Sequence, residues 1–191
     1  IGSSACRDNN INSPIHDLRD VELSVFSQWG EDGIIDWLVD LNSPMPETFV
    51  EFGVENYTES NTRFLLRNRN WRGLVIDGSK KHIDYIKNDS IYWKHNLSAL
   101  DEFITSENIN SLILNAGFRG EIGLLSIDID GNDYWVWNAI DCVSPHIVII
   151  EYNSLFGDLH PLSTPYSASF VRNDCHYSNL YYGASIAALL H

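Results

Sequence analysis

Apolar positions fall into a regular alternation only after a polar opening. Residues 1–20 are mixed and polar, with Asn9, Asn10, Asn12, Ser13 and Pro14, and read as an N-terminal arm ahead of a single domain over 21–191. From Ile34 the apolar residues recur at helical spacing through Ile35, Trp37, Leu38 and Val39, after Glu31 and Asp32, acids suited to a helix N-terminus. Pro44 and Pro46 end that helix. The pattern then predicts strand 49–53, helix 60–69, strand 73–77, helix 80–88, strand 91–95, helix 98–106, strand 122–128, helix 132–140 and strand 146–151. Uninterrupted apolar strands such as Ile147-Val148-Ile149-Ile150, separated by helices, imply a parallel sheet covered on both faces. The expected fold is α/β, a doubly wound, mostly parallel, Rossmann-like sheet. Residues 152–182, with Pro161, Pro165 and several Tyr and Ser, read as a long irregular loop of the lid or binding kind, and a helix is expected from Ala184 to Leu190.

Charge and composition narrow the partners. At 191 residues and 44% hydrophobic the chain can bury one core. A net charge of −14 leaves no broad basic surface for a phosphate backbone, so no nucleic-acid partner is expected. Arg67, Arg69 and Arg72 fall where the first crossover helix should end, complementing its dipole. Cys6, Cys142 and Cys175 share no metal-type spacing and read as thiols of a reducing compartment, with the cytoplasm the expected location. The sequons at Asn56, Asn88 and Asn96 read as chance in an Asn-rich chain. No segment approaches the roughly 20 apolar residues of a membrane span.

The candidate chemistry sits at strand ends. Glu51-Phe52-Gly53 closes one strand and Asp77-Gly78 the next, with Asp77 24 positions after Gly53, close to the roughly 20 expected between a phosphate-binding turn and a ribose-binding carboxylate. The single Gly and the nearby Glu55 do not suit a pyrophosphate. A nucleoside without phosphates fits better, and S-adenosylmethionine, with a ribose diol and a cationic end, is such a guest. Asn96, after the predicted strand 91–95, could meet an adenine edge, or be a turn residue. A second constellation follows: Asp128 and Asp130 end one strand, and Glu151 and Asn153 end its neighbour. Oxygen ligands from adjacent strand tips suit Mg²⁺ or another divalent cation, with Asp128, Glu151 and Asn153 as the ligand set. Without metal, Asp128 or His160 is the candidate general base. The alternative for this stretch is structural, with Asp128 capping the next helix and Asp130-Gly131-Asn132 forming a turn. Trp135, Trp137 and Ile140 read as helix-to-sheet packing.

Together, Ser27-Gln28-Trp29-Gly30-Glu31-Asp32, Phe49-Val50-Glu51-Phe52-Gly53, Leu74-Val75-Ile76-Asp77-Gly78, Ser126-Ile127-Asp128-Ile129-Asp130-Gly131 and Ile149-Ile150-Glu151 resemble the FkbM-like S-adenosylmethionine-dependent methyltransferases. The resemblance spans roughly residues 25–155, plus Tyr182-Gly183-Ala184-Ser185. It implies a class I methyltransferase fold, a cofactor held by Glu51, Gly53 and Asp77, and O-methylation of a small molecule or saccharide. It also implies that Ser27, Gln28, Glu31 and Asp32 cap the crevice, unless they only cap the helix. Relative to that fold, the chain would lack the closing C-terminal strands, so the domain is expected to be incomplete there. Asp128-Ile129-Asp130 and Glu151-Tyr152-Asn153 are partly similar to the metal-ligating strand ends of catechol-type O-methyltransferases. Asp128-Ile129-Asp130 is also similar to the DxD motif of a metal-dependent glycosyltransferase, the first alternative. A methyltransferase-like binding module without turnover is the second.

Overall fold

Alternating strands and helices with two-faced apolar strands can bury themselves only as a sheet between helical layers, and this is the arrangement adopted. The computed structural model describes Ile15 and residues 17–190; the expected N-terminal arm, Cys6 included, lies largely outside them. In chain order the elements are α1 (Glu31–Leu41), β1 (Thr48–Phe52), α2 (Arg63–Asn68), β2 (Arg72–Asp77), α3 (Lys80–Asn88), α4 (Ser90–Lys94) and β3 (Leu97–Asp101). Then come α5 (Ile109–Asn115), β4 (Gly120–Ile127), α6 (Asp133–Ala139), β5 (Val143–Ile150), α7 (Arg172–Cys175) and α8 (Ile186–Leu189).

The sheet order is β3-β2-β1-β4-β5, and every pairing is parallel. This is a doubly wound, Rossmann-like sheet, and its winding reverses between β1 and β4. Such a reversal parts the helices above the carboxyl ends of the two strands and leaves a crevice there. Side chains split by parity. Phe49, Val75 and Leu124 join Ile35, Val39, Leu65 and Ile83 on one face, while Val50, Phe52, Leu74, Ile76 and Leu125 join Ile109, Ile113 and Val136 on the other. Among the described residues no helix is long and apolar enough to cross a membrane.

The third strand lies one element later than the sequence reading put it. Residues 91–95 are helical, because Asp89 accepts the Ile91 N–H at 3.0 Å and caps a single turn that buries Ile91. The strand is Leu97–Asp101, where a helix was expected; Leu97 and Ala99 are buried and Ser98 and Leu100 half-buried, a period of two hidden in five residues. Asn96 therefore precedes β3. Its carbonyl accepts the Gly73 N–H at 2.9 Å, at the amino-terminal edge of the sheet, opposite the crevice.

The loop 152–182 is irregular as expected, with one 3₁₀ turn (Ser154–Phe156) and the single turn α7. Its legs are tied together and to the turn after β4: Thr164 N–H donates to Gly183 O at 3.0 Å, Ser185 N–H to Leu162 O at 2.8 Å, and Gly183 N–H to Gly131 O at 3.2 Å. Trp135 Nε1 donates to Thr164 O at 2.8 Å, so this indole holds the loop, while Trp137 and Ile140 pack against the second core. Phe170 lies against Gly131, where a Cβ would come within 2.2 Å of its ring.

Candidate functional site

The tip of β1 sets the floor of the crevice. Gly53 has φ +71°, and its N–H donates to Ile76 O at 3.0 Å. A Cβ there would lie 1.6 Å from the carbonyl oxygen of Asp128, so glycine is required by the contact between the β1 and β4 tips. Glu51, only 4% exposed, turns into the loop that follows. Its carboxylate accepts the Asn61 N–H and Ser60 Oγ at 3.0 Å each and the Thr62 N–H at 3.3 Å, with Thr62 Oγ1 and Ser126 Oγ completing the shell. Burial pushes its pKa up, against the hydrogen bonds from Thr62 and its neighbours. Glu51 thus organises residues 54–62 and the entry to α2.

Asp77 ends β2 and faces that loop. It is 8% exposed. Oδ1 accepts the Ser79 N–H at 2.8 Å and lies 3.2 Å from His82 Nδ1; Oδ2 accepts the Glu55 N–H at 2.8 Å across the crevice. An ionised carboxylate has about four lone-pair sites, so at least one is left for a ligand.

On the other side stand the tips of β4 and β5. Asp133, fully buried, accepts the N–H groups of Ile129 and Gly131 at 2.8 Å each and shapes the turn that carries Asp130 at φ +58°. Asp128, Asp130 and Glu151 each offer an oxygen, all within 4.8 Å of one another. Arg172 of α7 pairs with Asp130, stacks 3.6 Å from the Tyr182 ring centroid and donates Nε to Asn179 O at 2.8 Å. Asp128 is open to solvent on its cavity side yet ringed by protein atoms. Loss of hydration, then the charges of Asp133 and Asp130, push it up to about 6. Burial first, and then Asp128, pushes Glu151 up to about 8. The two behave as a pair that shares one proton near neutral pH.

Around these tips lies a cavity of about 750 Å³, within the size range of small-molecule sites. Nine carboxylates line it: Glu31 from α1; Glu51, Glu55 and Glu59 from β1 and its loop; Asp77 and Glu102 from the tips of β2 and β3; and Asp128, Asp130 and Glu151. Among the described residues, no lysine or arginine lines it. Ile76, Phe103, Ile104, Ile127, Ile150 and Phe170 supply the apolar wall.

Of the residues singled out from sequence, Glu51, Gly53, Asp77, Asp128 and Glu151 meet at this cavity. Asn96 does not, for the topological reason given above. His160 is exposed on the loop and absent from the lining; its carbonyl accepts Ser185 Oγ at 2.8 Å. Asn153 is buried, but its Nδ2 donates to Leu180 O and Tyr182 O at 3.0 Å each, and its Oδ1 accepts the Leu155 N–H at 3.0 Å. It anchors the loop, and Asp130 is the third oxygen beside Asp128 and Glu151. At the N-terminal flank, Asp32 accepts the N–H groups of Val25, Phe26 and Ser27, and Ser27 Oγ accepts the Asp32 N–H at 3.0 Å, while Ser27, Gln28 and Glu31 line the cavity. That stretch both caps α1 and walls the crevice. The sequence does not mark Glu102, Phe103, Phe170 and Arg172: the first two because β3 lies later than expected, the last two because nothing in an irregular loop distinguishes them; Asn132 was expected only as a turn residue.

No family model, no curated protein and no solved structure matches the chain.

Proposed function

We propose that the chain is an S-adenosylmethionine-dependent methyltransferase acting on an oxygen of a small molecule or saccharide. The observation that carries this reading is Asp77 at the tip of β2, facing the Glu51-organised loop across the crevice at the sheet's switch point, with lone-pair capacity to spare. A ribose diol fits such a carboxylate. The acidic wall accepts a sulfonium and an ammonium and repels a pyrophosphate, which favours a nucleoside cofactor over a nucleotide sugar.

Bound there, S-adenosylmethionine supplies a methyl group activated by a positive sulfur. Asp77 holds the ribose and Gly53 lets the β1 tip approach. Glu51 acts through the loop, since its oxygens are already committed to Ser60, Asn61 and Thr62. Asp128 is the residue to take a proton from the acceptor hydroxyl: raised to about 6, it is ionised at neutral pH yet basic enough to accept. The apolar wall with Phe103 and Phe170 excludes water from the reacting atoms. A divalent cation among Asp128, Asp130 and Glu151 would orient that same oxygen, beside the like charge of Arg172 on Asp130.

The test is calorimetric titration with S-adenosylhomocysteine, on the wild type and on Asp77→Asn checked for native folding by circular dichroism. Saturable binding weakened at least about 10-fold by the substitution supports the reading, a loss of about 1.4 kcal/mol. Absence of binding to the folded wild type would sink it.

A further inference from the structure

The β4–β5 side of the cavity holds hydrogen-bond acceptors with nothing to accept. Asn132 is 4% exposed and lines the cavity. Its Nδ2 donates to Ser167 O at 2.8 Å, but its Oδ1 has no partner. Glu151 Oε2, on the neighbouring tip, is also buried without a partner. Asp128 lines the same wall, with a carboxylate oxygen within 4.8 Å of one on Glu151. Buried polar atoms are nearly always satisfied, and an orphaned acceptor costs about 1–3 kcal/mol. Two in one cavity wall, beside the carboxyl groups of Asp128 and Asp130, describe the complement of a ligand that only donates.

We propose that this wall is the anchor for a primary ammonium group on the acceptor molecule. The inference rests on the methyltransferase reading only for the word acceptor; the cation site itself does not. An –NH₃⁺ has three donors and no acceptor, matching Asp128, Glu151 Oε2 and Asn132 Oδ1 in number and in charge. A divalent metal is the poorer occupant. Asp130, the third carboxylate of the cluster, already carries the guanidinium of Arg172, whose charge would repel the metal. That ion pair is itself an organic cation seated on the same cluster. An ammonium can instead use Glu151 Oε2 and Asn132 Oδ1, which have no partner, together with Asp128. Phe103 and Phe170 line the same cavity and suit an apolar stem on the ligand. Opposite charges around the nitrogen hold it protonated, so its lone pair is engaged and the nitrogen is a handle rather than the methylated atom. The acceptor class is therefore a small amino alcohol or amino sugar, bound by its ammonium and methylated on a separate hydroxyl.

The experiment uses a matched pair of probes, phenethylamine and 2-phenylethanol, which differ in ammonium against hydroxyl. Each is titrated calorimetrically into the protein alone and into protein saturated with S-adenosylhomocysteine, with MgCl₂ titrated separately. The expected result is that the amine binds at least tenfold more tightly than the alcohol. Glu151→Gln, which keeps the shape but cannot become a carboxylate against the ammonium, and Asn132→Leu, which removes the orphaned acceptor, each weaken the amine about tenfold and leave the alcohol unchanged. Equal binding of amine and alcohol, failure of both probes, or saturable Mg²⁺ binding with a silent amine would each overturn the proposal. Amine binding without S-adenosylhomocysteine binding keeps the cation anchor and overturns the methyltransferase reading instead.

Discussion

Replacing Glu51 by Leu tests whether this carboxylate holds the loop rather than the ligand. The substitution leaves the Asn61 N–H without its acceptor, at about 1–3 kcal/mol for a buried donor. The Thr62 N–H keeps only a 3.3 Å contact to Ser60 Oγ, and the hydroxyls of Ser60 and Thr62 must turn elsewhere, as Thr62 can toward Tyr57 OH at 3.0 Å. Against this, a buried carboxyl whose pKa is already lifted by lost hydration no longer has to be accommodated. The net expected loss for Glu51→Leu is about 2–4 kcal/mol. Glu51→Gln keeps one carbonyl oxygen for Asn61 and Ser126 and should lose about 1 kcal/mol. Urea unfolding followed by circular dichroism gives both numbers, with an unchanged m-value as the check that the two-state comparison holds. Native-state hydrogen exchange should show amides 54–62 opening in the Leu variant before the sheet does. If the Leu variant falls within about 0.5 kcal/mol of the Gln variant, the hydrogen bonds to Glu51 do not anchor the loop and the reasoning is wrong.

Two further outcomes are expected. Gly53→Ala places a methyl 1.6 Å from Asp128 O at φ +71°; left-handed backbone alone costs about 1–2 kcal/mol, and the parted strand tips should bring the total loss in urea unfolding above about 2 kcal/mol, so a neutral result would refute the tip-to-tip contact. Glu151 has a folded pKa of about 8 against an ordinary 4.5, so the folded chain keeps a proton that the unfolded chain releases. Its contribution to stability is full below about pH 4.5 and is lost as pH climbs through 8, and Gln, which cannot ionise, escapes that loss. Thermal unfolding of Glu151→Gln should show an advantage over wild type that is absent at pH 4.5 and grows toward pH 8.5; a constant difference across that range would refute the assignment.

Much of this was legible because β1, β2, β4 and β5 are continuous apolar runs ending in acids, and strand polarity alone puts Glu51, Asp77, Asp128 and Glu151 at one edge. The third strand was not legible. Five residues, Leu97–Asp101, carry too few apolar positions to separate a period of two from the start of a helix, and the turn of helix before it carries Ile91, Tyr92 and Trp93, residues typical of strands. That single displacement moved Asn96 to the wrong end of the sheet and hid Glu102 and Phe103. The positions of Asn153 and His160 were illegible for another reason. Their backbone follows an irregular path whose hydrogen bonds, such as Asn153 Nδ2 to Leu180 O and Tyr182 O, join residues far apart in the chain and leave no periodic trace.

The reversal of winding between β1 and β4 also divides the labour of the molecule. One side of the cavity lining comes from residues 27–104 and the other from 127–170, joined by the pairing of β1 with β4, by Asn61 Nδ2 on Ser126 Oγ and by the abutment of Gly53 on Asp128. Changes in the loop after β5 can then reshape what is admitted on one side while the other side keeps its geometry. The segment 152–182 shapes that wall through a few fixed ties, Trp135 to Thr164, Asn132 to Ser167 and Arg172 to Asp130, and any exchange of it must carry those partners along.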